Sequence, residues 1–123
     1  MSVILKPVVL LAALLAAVAF ESTLPATINN DVLPHLDKII HFLVFGLVAW
    51  LLASAMAAHH RLFESGFLVV FISLVLVALL GVADEWIQSF TPSRHAEVGD
   101  VLADIAGGFV FLLVYLRMKH HFF

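Results

Sequence analysis

Four long apolar stretches separate the few polar segments of this chain. They run over residues 3–20, 36–57, 66–83 and 101–116. A helix needs about 20 residues to cross roughly 30 Å of hydrocarbon, with some scatter, and each stretch is close to that length. Backbone polar groups in lipid must be satisfied within their own segment, so helices are the expected form. The sequence therefore predicts an all-α integral membrane bundle of four transmembrane helices.

Composition excludes most water-soluble classes. The 123 residues are 63% hydrophobic and 12% charged, and a soluble domain this small could not bury so much apolar surface. Without cysteine, the chain has neither a disulfide framework nor a catalytic thiol. A net charge of −3 favours neither a nucleic-acid partner nor a polybasic lipid-binding surface. We therefore expect one transmembrane domain over residues 1–123, surrounded by lipids of a bacterial inner or plasma membrane, and no cofactor is predicted.

The first apolar stretch has two interpretations. Lys6, the apolar run and the small residues Ala17 and Ala19 are also typical of a secretory signal peptide with its cleavage site. We expect an uncleaved first span, and the signal peptide is the alternative.

The basic residues predict the orientation in the membrane. In a four-span protein, one side holds both termini and the loop between the second and third spans, and its basic residues are Lys6, Arg61, Arg117 and Lys119. The opposite side holds Lys38 and Arg94. The positive-inside rule makes the richer side cytoplasmic. Both termini are thus expected in the cytoplasm, with residues 21–36 and 84–100 facing outward.

Polar residues concentrate on that outward side. Five of the nine acidic residues fall within residues 84–104. Ionisable groups at the edge of a membrane span are costly, so they indicate a functional site by default. The candidate site residues are Asp37, His41, Asp84, Glu85, Gln88, Arg94, Asp100 and Asp104.

Helical spacing brings several of these residues within reach of one another. Asp37 and His41 are four residues apart, so the carboxylate can fix the imidazole tautomer and raise its basicity. Alternatively, Asp37 complements the helix dipole and His41 lies at the membrane interface. Asp84 is likewise four residues before Gln88, and Pro92 predicts departure from the helix by the preceding residue.

Asp100 and Asp104 share a face of the fourth helix, where like charges repel unless a cation lies between them. The planar guanidinium of Arg94 can bridge several carboxylates. One interpretation is a structural network centred on Arg94 that joins the outer ends of spans two to four. The other is a ligand or catalytic pocket open to the outer leaflet.

Two other patterns favour packing and solvation over chemistry. Ala103 and Gly107 form a small-xxx-small pair that lets helices approach closely in lipid. The adjacent pairs His59–His60 and His120–His121 have no third ligand nearby in sequence, so no metal site is predicted there.

Three motifs in this order resemble the VanZ-like family over about residues 36–108. They are Asp37-Lys38-xx-His41-Phe42, Asp84-Glu85-xx-Gln88-x-Phe90-x-Pro92-x-Arg94, and Asp100-xxx-Asp104-xx-Gly107. The family pattern usually has asparagine where this chain has Asp104. The resemblance implies an integral membrane protein with a shared polar site, and the founding member is associated with low-level resistance to the glycopeptide teicoplanin. It does not imply a reaction.

Three functions follow as hypotheses. The first is a module that binds an envelope lipid, a lipid-linked precursor or a glycopeptide antibiotic. The second is a membrane-surface enzyme, with His41, Asp37 and Glu85 as acid and base or with His41, His95 and two carboxylates on a divalent metal. The third is a structural subunit, either of a homo-oligomer or beside a larger membrane protein, that uses the small-residue face of the fourth span.

Overall fold

The computed structural model describes residues 5–23, 36–58, 65–92 and 96–122 of the chain, and these ranges form four helices and no strand. The helices are α1 (Leu5–Ser22), α2 (Leu36–Ala57), α3 (Gly66–Gln88) and α4 (Val98–Phe122). The predicted all-α architecture is confirmed.

Three of these helices are long and apolar enough to cross a membrane: α2, α3 and the Val98–Met118 part of α4. The chain is therefore a multi-pass membrane protein. The first apolar stretch is helical as expected, but its role as a fourth span stays a prediction. The cytoplasmic placement of the termini and the signal-peptide alternative also stay untested.

Two helices run further than hydropathy predicts. The predicted span ends at residue 83 in α3 and begins at residue 101 in α4, whereas α3 continues to Gln88 and α4 begins at Val98. The added turns of α3 and α4 carry polar side chains that find hydrogen-bond partners inside the bundle. The candidate site residues therefore lie on the helices themselves. After Gln88 the amide of Thr91 bonds the Gln88 carbonyl at 3.0 Å in a turn before Pro92, which confirms the predicted departure from the helix.

Apolar side chains of α2, α3 and α4 form the core. Its buried members are Phe45, Val48, Ala49 and Ala53 of α2, Val69 and Val77 of α3, and Leu112 and Tyr115 of α4. The outward faces carry large apolar side chains, such as Phe67 at 78% exposure and Leu79 at 61%. Such faces suit contact with lipid, since soluble monomers rarely expose large apolar patches.

Gly107 sets the distance between α2 and α4. A Cβ atom added there would overlap the backbone carbonyl group and Cα of Phe42. The two backbones therefore touch at this point, as a small residue permits in a lipid environment. This confirms the packing interpretation for Gly107. The contact also fixes the neighbourhood of the site, because His41 precedes Phe42 and Asp104 lies one turn before Gly107.

Candidate functional site

Polar side chains from all four helices meet at one end of the bundle, where α1 and α3 end and α2 and α4 begin. Seven of the eight predicted site residues are described there, while Arg94 lies outside the described residues, as does His95. Five of the seven are buried: Asp84, Glu85, Gln88, Asp100 and Asp104, at 0–6% exposure. Buried carboxyl groups of this kind need partners or a ligand.

His41 is held between two aspartates of α4. Its Nδ1 lies 2.7 Å from Oδ1 of Asp104, and its Nε2 lies 3.8 Å from Oδ2 of Asp100. The ring also stacks on Phe45 with centroids 6.0 Å apart. When the Asp104 carboxylate accepts a hydrogen bond from Nδ1, the neutral ring keeps Nε2 as its acceptor atom.

The spacing of Asp37 and His41 predicted that these two side chains could meet, but they have different partners. His41 bonds Asp104 across the α2–α4 contact, while Asp37 lies 3.3 Å from the ammonium group of Lys38. The close backbone approach at Gly107 brings the α4 carboxylates nearer to His41 than sequence spacing can indicate.

Asp84 joins α3 to α1. It accepts hydrogen bonds from Nε2 of Gln88 at 3.1 Å and from the hydroxyl group of Ser22. The Ser22 carbonyl in turn accepts a hydrogen bond from the Thr91 hydroxyl at 2.9 Å. The Asp84–Gln88 contact is the one that helical spacing predicts. Ser22 and Thr91 carried no signal in the sequence, because a single hydroxyl at a helix end has many possible partners.

Two buried carboxylate oxygens have no hydrogen-bond partner among the described residues, Oε1 of Glu85 and Oδ2 of Asp104. The other oxygen of Glu85 accepts a hydrogen bond from the amide of Glu97 at 2.9 Å. An unsatisfied buried acceptor loses the free energy of its hydration, about 1–3 kcal/mol and more when charged. The site therefore has unused capacity to bind a donor or a cation.

Lys38 bridges the acidic groups at the rim of the site. Its ammonium group lies 2.6 Å from Glu97 and 3.3 Å from both Asp37 and Asp100. This is the bridging role that sequence analysis gave to Arg94, whose own contacts fall outside the described ranges. Lys38 could have been recognised from its place in the first VanZ-like motif, and Glu97 from its place in the acidic cluster.

A cleft of about 400 Å³ opens between α1, α2 and α3 beside these polar groups. Its apolar wall consists of Leu14, Ala17, Val18, Ile40, Val44 and Phe45. Its polar end consists of Glu21, Asp37, His41 and Asp84. The cleft thus presents one apolar and one polar environment to the same occupant.

The described residues of the three motifs that carry the family resemblance lie at this end of the bundle, around the contact between Phe42 and Gly107. A sequence model of the VanZ/LLP1 family matches residues 2–119, nearly the whole chain. The chain belongs to the VanZ/LLP1 family. The resemblance inferred from the motifs is thereby confirmed. A search of the curated proteins and a search of the solved structures each find no significant match.

In this VanZ/LLP1 protein the described site is strongly acidic. The carboxylates gathered at this end are Glu21, Asp37, Asp84, Glu85, Glu97, Asp100 and Asp104. Among the described residues they face one ammonium group, that of Lys38, and one imidazole. Such a site suits amines, hydroxyl groups or a metal cation better than a bare anion.

The motif resemblance implies that asparagine is usual at the position of Asp104, and the geometry limits what this difference changes. One Asp104 oxygen bonds His41, and an amide oxygen could accept the same hydrogen bond. The other oxygen lies against Gly81, where a Cβ atom would come within 2.7 Å of it. The aspartate therefore keeps the contact that an asparagine would make and adds an ionisable group in a fully buried position.

Proposed function

We propose that this VanZ/LLP1 protein binds an envelope amphiphile in the cleft between α1, α2 and α3. The class includes an envelope lipid, a lipid-linked precursor and a glycopeptide antibiotic. The observation that supports this most is the division of the cleft into an apolar wall and a polar end. Its volume of about 400 Å³ falls within the usual range for small-molecule sites, about 300–1,000 Å³.

The proposed occupant lies with its apolar chain against Leu14, Val18 and Val44, and its polar group beside Asp37 and Asp84. Burial of the chain provides affinity in proportion to the apolar area removed from water. The carboxylates and His41 select the polar group, since they accept hydrogen bonds from hydroxyl and amine donors. Arg94, the candidate for an anionic group, stays a prediction.

The membrane arrangement that we propose has four spans in a single domain, with cytoplasmic termini in the inner or plasma membrane of a bacterium. The basic residues on the two sides support this orientation through the positive-inside rule. The cleft then opens towards the outer leaflet, where envelope precursors and antibiotics are found. A contribution to glycopeptide resistance would follow from binding either the antibiotic or its envelope target.

A matched pair of substitutions on α1 tests this proposal. Ala16 and Ala17 are both exposed, but Ala17 lines the cleft and Ala16 does not. The variant Ala17→Phe should fill the apolar part of the cleft, while Ala16→Phe adds the same side chain outside it.

Native mass spectrometry of the purified full chain, with phospholipids and with teicoplanin as probes, gives the readout. Wild type and Ala16→Phe should retain one bound amphiphile, whereas Ala17→Phe should bind it at least about tenfold more weakly. Displacing the apolar chain from the cleft removes more than about 1.4 kcal/mol of the binding free energy that its burial provides. Equal retention by Ala16→Phe and Ala17→Phe would refute cleft binding.

A further inference from the structure

We propose that His41, Asp84 and Glu85 form a binding site for one divalent first-row transition-metal ion, such as Mn²⁺ or Zn²⁺. Each residue can offer one ligand atom, and the three atoms lie within 4.8 Å of one another. Ligands about 2.1 Å from one ion in a tetrahedral arrangement are about 3.4 Å apart. The three ligand atoms therefore need to approach one another by no more than ~1.4 Å to bind an ion.

The Glu85 carboxylate gives an independent reason for a cation. Its side chain is buried, with 6% exposure, and its Oε1 atom has no hydrogen-bond partner in the described part of the chain. Burying a carboxyl group is costly unless it is paired or coordinates a metal. The Asp84 carboxylate lies beside it, and a cation between the two removes their mutual repulsion.

The surrounding contacts orient the three ligands as metal sites require. The Asp104 carboxylate lies 2.7 Å from Nδ1 of His41, and by accepting a hydrogen bond from Nδ1 it leaves Nε2 of the neutral ring unprotonated and able to bind a metal. Asp84 accepts hydrogen bonds from Gln88 and Ser22. The amide of Glu97 binds one oxygen of Glu85 at 2.9 Å and leaves the other available.

A second group of three side chains at this end of the bundle, all of them acidic, already has a cationic partner. Asp37, Glu97 and Asp100 can also bring three ligand atoms together. The ammonium group of Lys38 contacts all three carboxylates at 2.6–3.3 Å, so that trio already has its cation. The Lys38 ammonium group makes no such contact with His41, Asp84 or Glu85, and in that group Oε1 of Glu85 has no hydrogen-bond partner among the described residues.

The ligand set indicates the metal class. One imidazole nitrogen and two carboxylate oxygens suit Mn²⁺, Fe²⁺ or Zn²⁺, whereas copper(I) prefers sulfur and Ca²⁺ prefers six or more oxygens. Three protein ligands leave positions for water or another group on the ion. His41 and Asp84 also line the polar end of the cleft, so an ion bound here would lie beside the polar group of an occupant. Ion binding is nevertheless tested on the protein alone, without an amphiphile.

The test uses the full chain without an affinity tag, stripped with a chelator and then titrated with Mn²⁺. We expect about one ion per chain, with nitrogen modulation from an imidazole in the pulsed electron paramagnetic resonance signal. The modulation should disappear in His41→Ala. Wild-type protein with no stoichiometric ion, or with bound Mn²⁺ that shows no nitrogen modulation, would overturn the proposal.

Two carboxamide variants locate the ion. Glu85→Gln keeps an oxygen acceptor for the Glu97 amide and should fold, as checked by circular dichroism, but it should bind Mn²⁺ at least 100-fold more weakly. Asp84→Asn should have the same effect and serves if Glu85→Gln is unstable. Glu97→Gln removes a nearby carboxylate that contacts Lys38, keeps the backbone amide that binds Glu85, and should bind Mn²⁺ like wild type. If Glu97→Gln weakens Mn²⁺ binding as much as Glu85→Gln does, the ion lies elsewhere.

Discussion

Gly107→Ala is the substitution that the packing of α2 against α4 constrains most directly. The added methyl group would overlap backbone atoms of Phe42. Backbone atoms cannot rotate aside as a side chain can, so the two helices must separate. Separation at this point would also pull His41 away from Asp104. Nδ1 of His41 lies 2.7 Å from Oδ1 of Asp104.

The neighbouring glycine provides a matched control. A Cβ atom at Gly108 would lie 3.2 Å from Cγ1 of Val77 and 3.6 Å from Cβ of Ala49, and a small shift of the valine relieves the contact. Overpacking costs about 1–3 kcal/mol in well-packed cores. We place Gly107→Ala at about 3 kcal/mol, the upper end of that range, and Gly108→Ala at about 1 kcal/mol or less.

Equilibrium unfolding in mixed micelles with increasing dodecyl sulfate, followed by circular dichroism, measures both variants. The free energy of unfolding should fall about 2 kcal/mol further in Gly107→Ala than in Gly108→Ala. If the two variants are equally stable, or if Gly107→Ala matches wild type, the close backbone contact between α2 and α4 is refuted.

The remaining predictions use the same unfolding titration. Ser22→Ala removes a donor to buried Asp84 and should cost about 1–3 kcal/mol, whereas Thr23→Ala removes an exposed hydroxyl and should stay within about 0.5 kcal/mol; equal effects would refute the link between α1 and α3. Lys38→Met leaves Asp100, which is 4% exposed, without its ammonium partner and should cost about 1–3 kcal/mol, so adding Asp100→Asn should restore part of the stability. Strictly additive effects in this double-mutant cycle would show that the two groups do not interact.

Much of the fold follows from the sequence alone. The bounds of α2 match the predicted stretch at residues 36–57, because its polar residues lie within the first turns and do not interrupt the apolar run. The ends of α3 and α4 were harder to predict. Hydropathy falls at Asp84 and rises again at Val101, but the helices continue through these polar turns because Asp84 and Asp100 find partners inside the bundle.

The site could be predicted as a set of residues but not as a set of contacts. Spacing along one helix identifies the hydrogen bond between Asp84 and Gln88, because both residues belong to α3. Contacts between helices depend on how closely the backbones approach, so spacing suggested Asp37 as the partner of His41 where the structure has Asp104. The contribution of α1 through Ser22 had no sequence signal.

The enzyme and accessory-subunit hypotheses stay predictions. For the enzyme hypothesis, the relevant geometry is that of His41. Its Nδ1 contacts Asp104, and its Nε2, the atom that could act as a base, lies 3.8 Å from Asp100. For the accessory-subunit hypothesis, the exposed apolar faces do not discriminate, because they suit contact with lipid and with another membrane protein equally.

Photo-crosslinking tests the central claim, that an amphiphile occupies the cleft, most directly. A phospholipid with a diazirine in its acyl chain is activated on the full chain in micelles, and mass spectrometry locates the adducts. Cleft binding predicts adducts concentrated at Leu14, Val18 and Val44 and their loss in Ala17→Phe. Adducts spread over outward-facing residues such as Leu79 and unchanged by Ala17→Phe would contradict it.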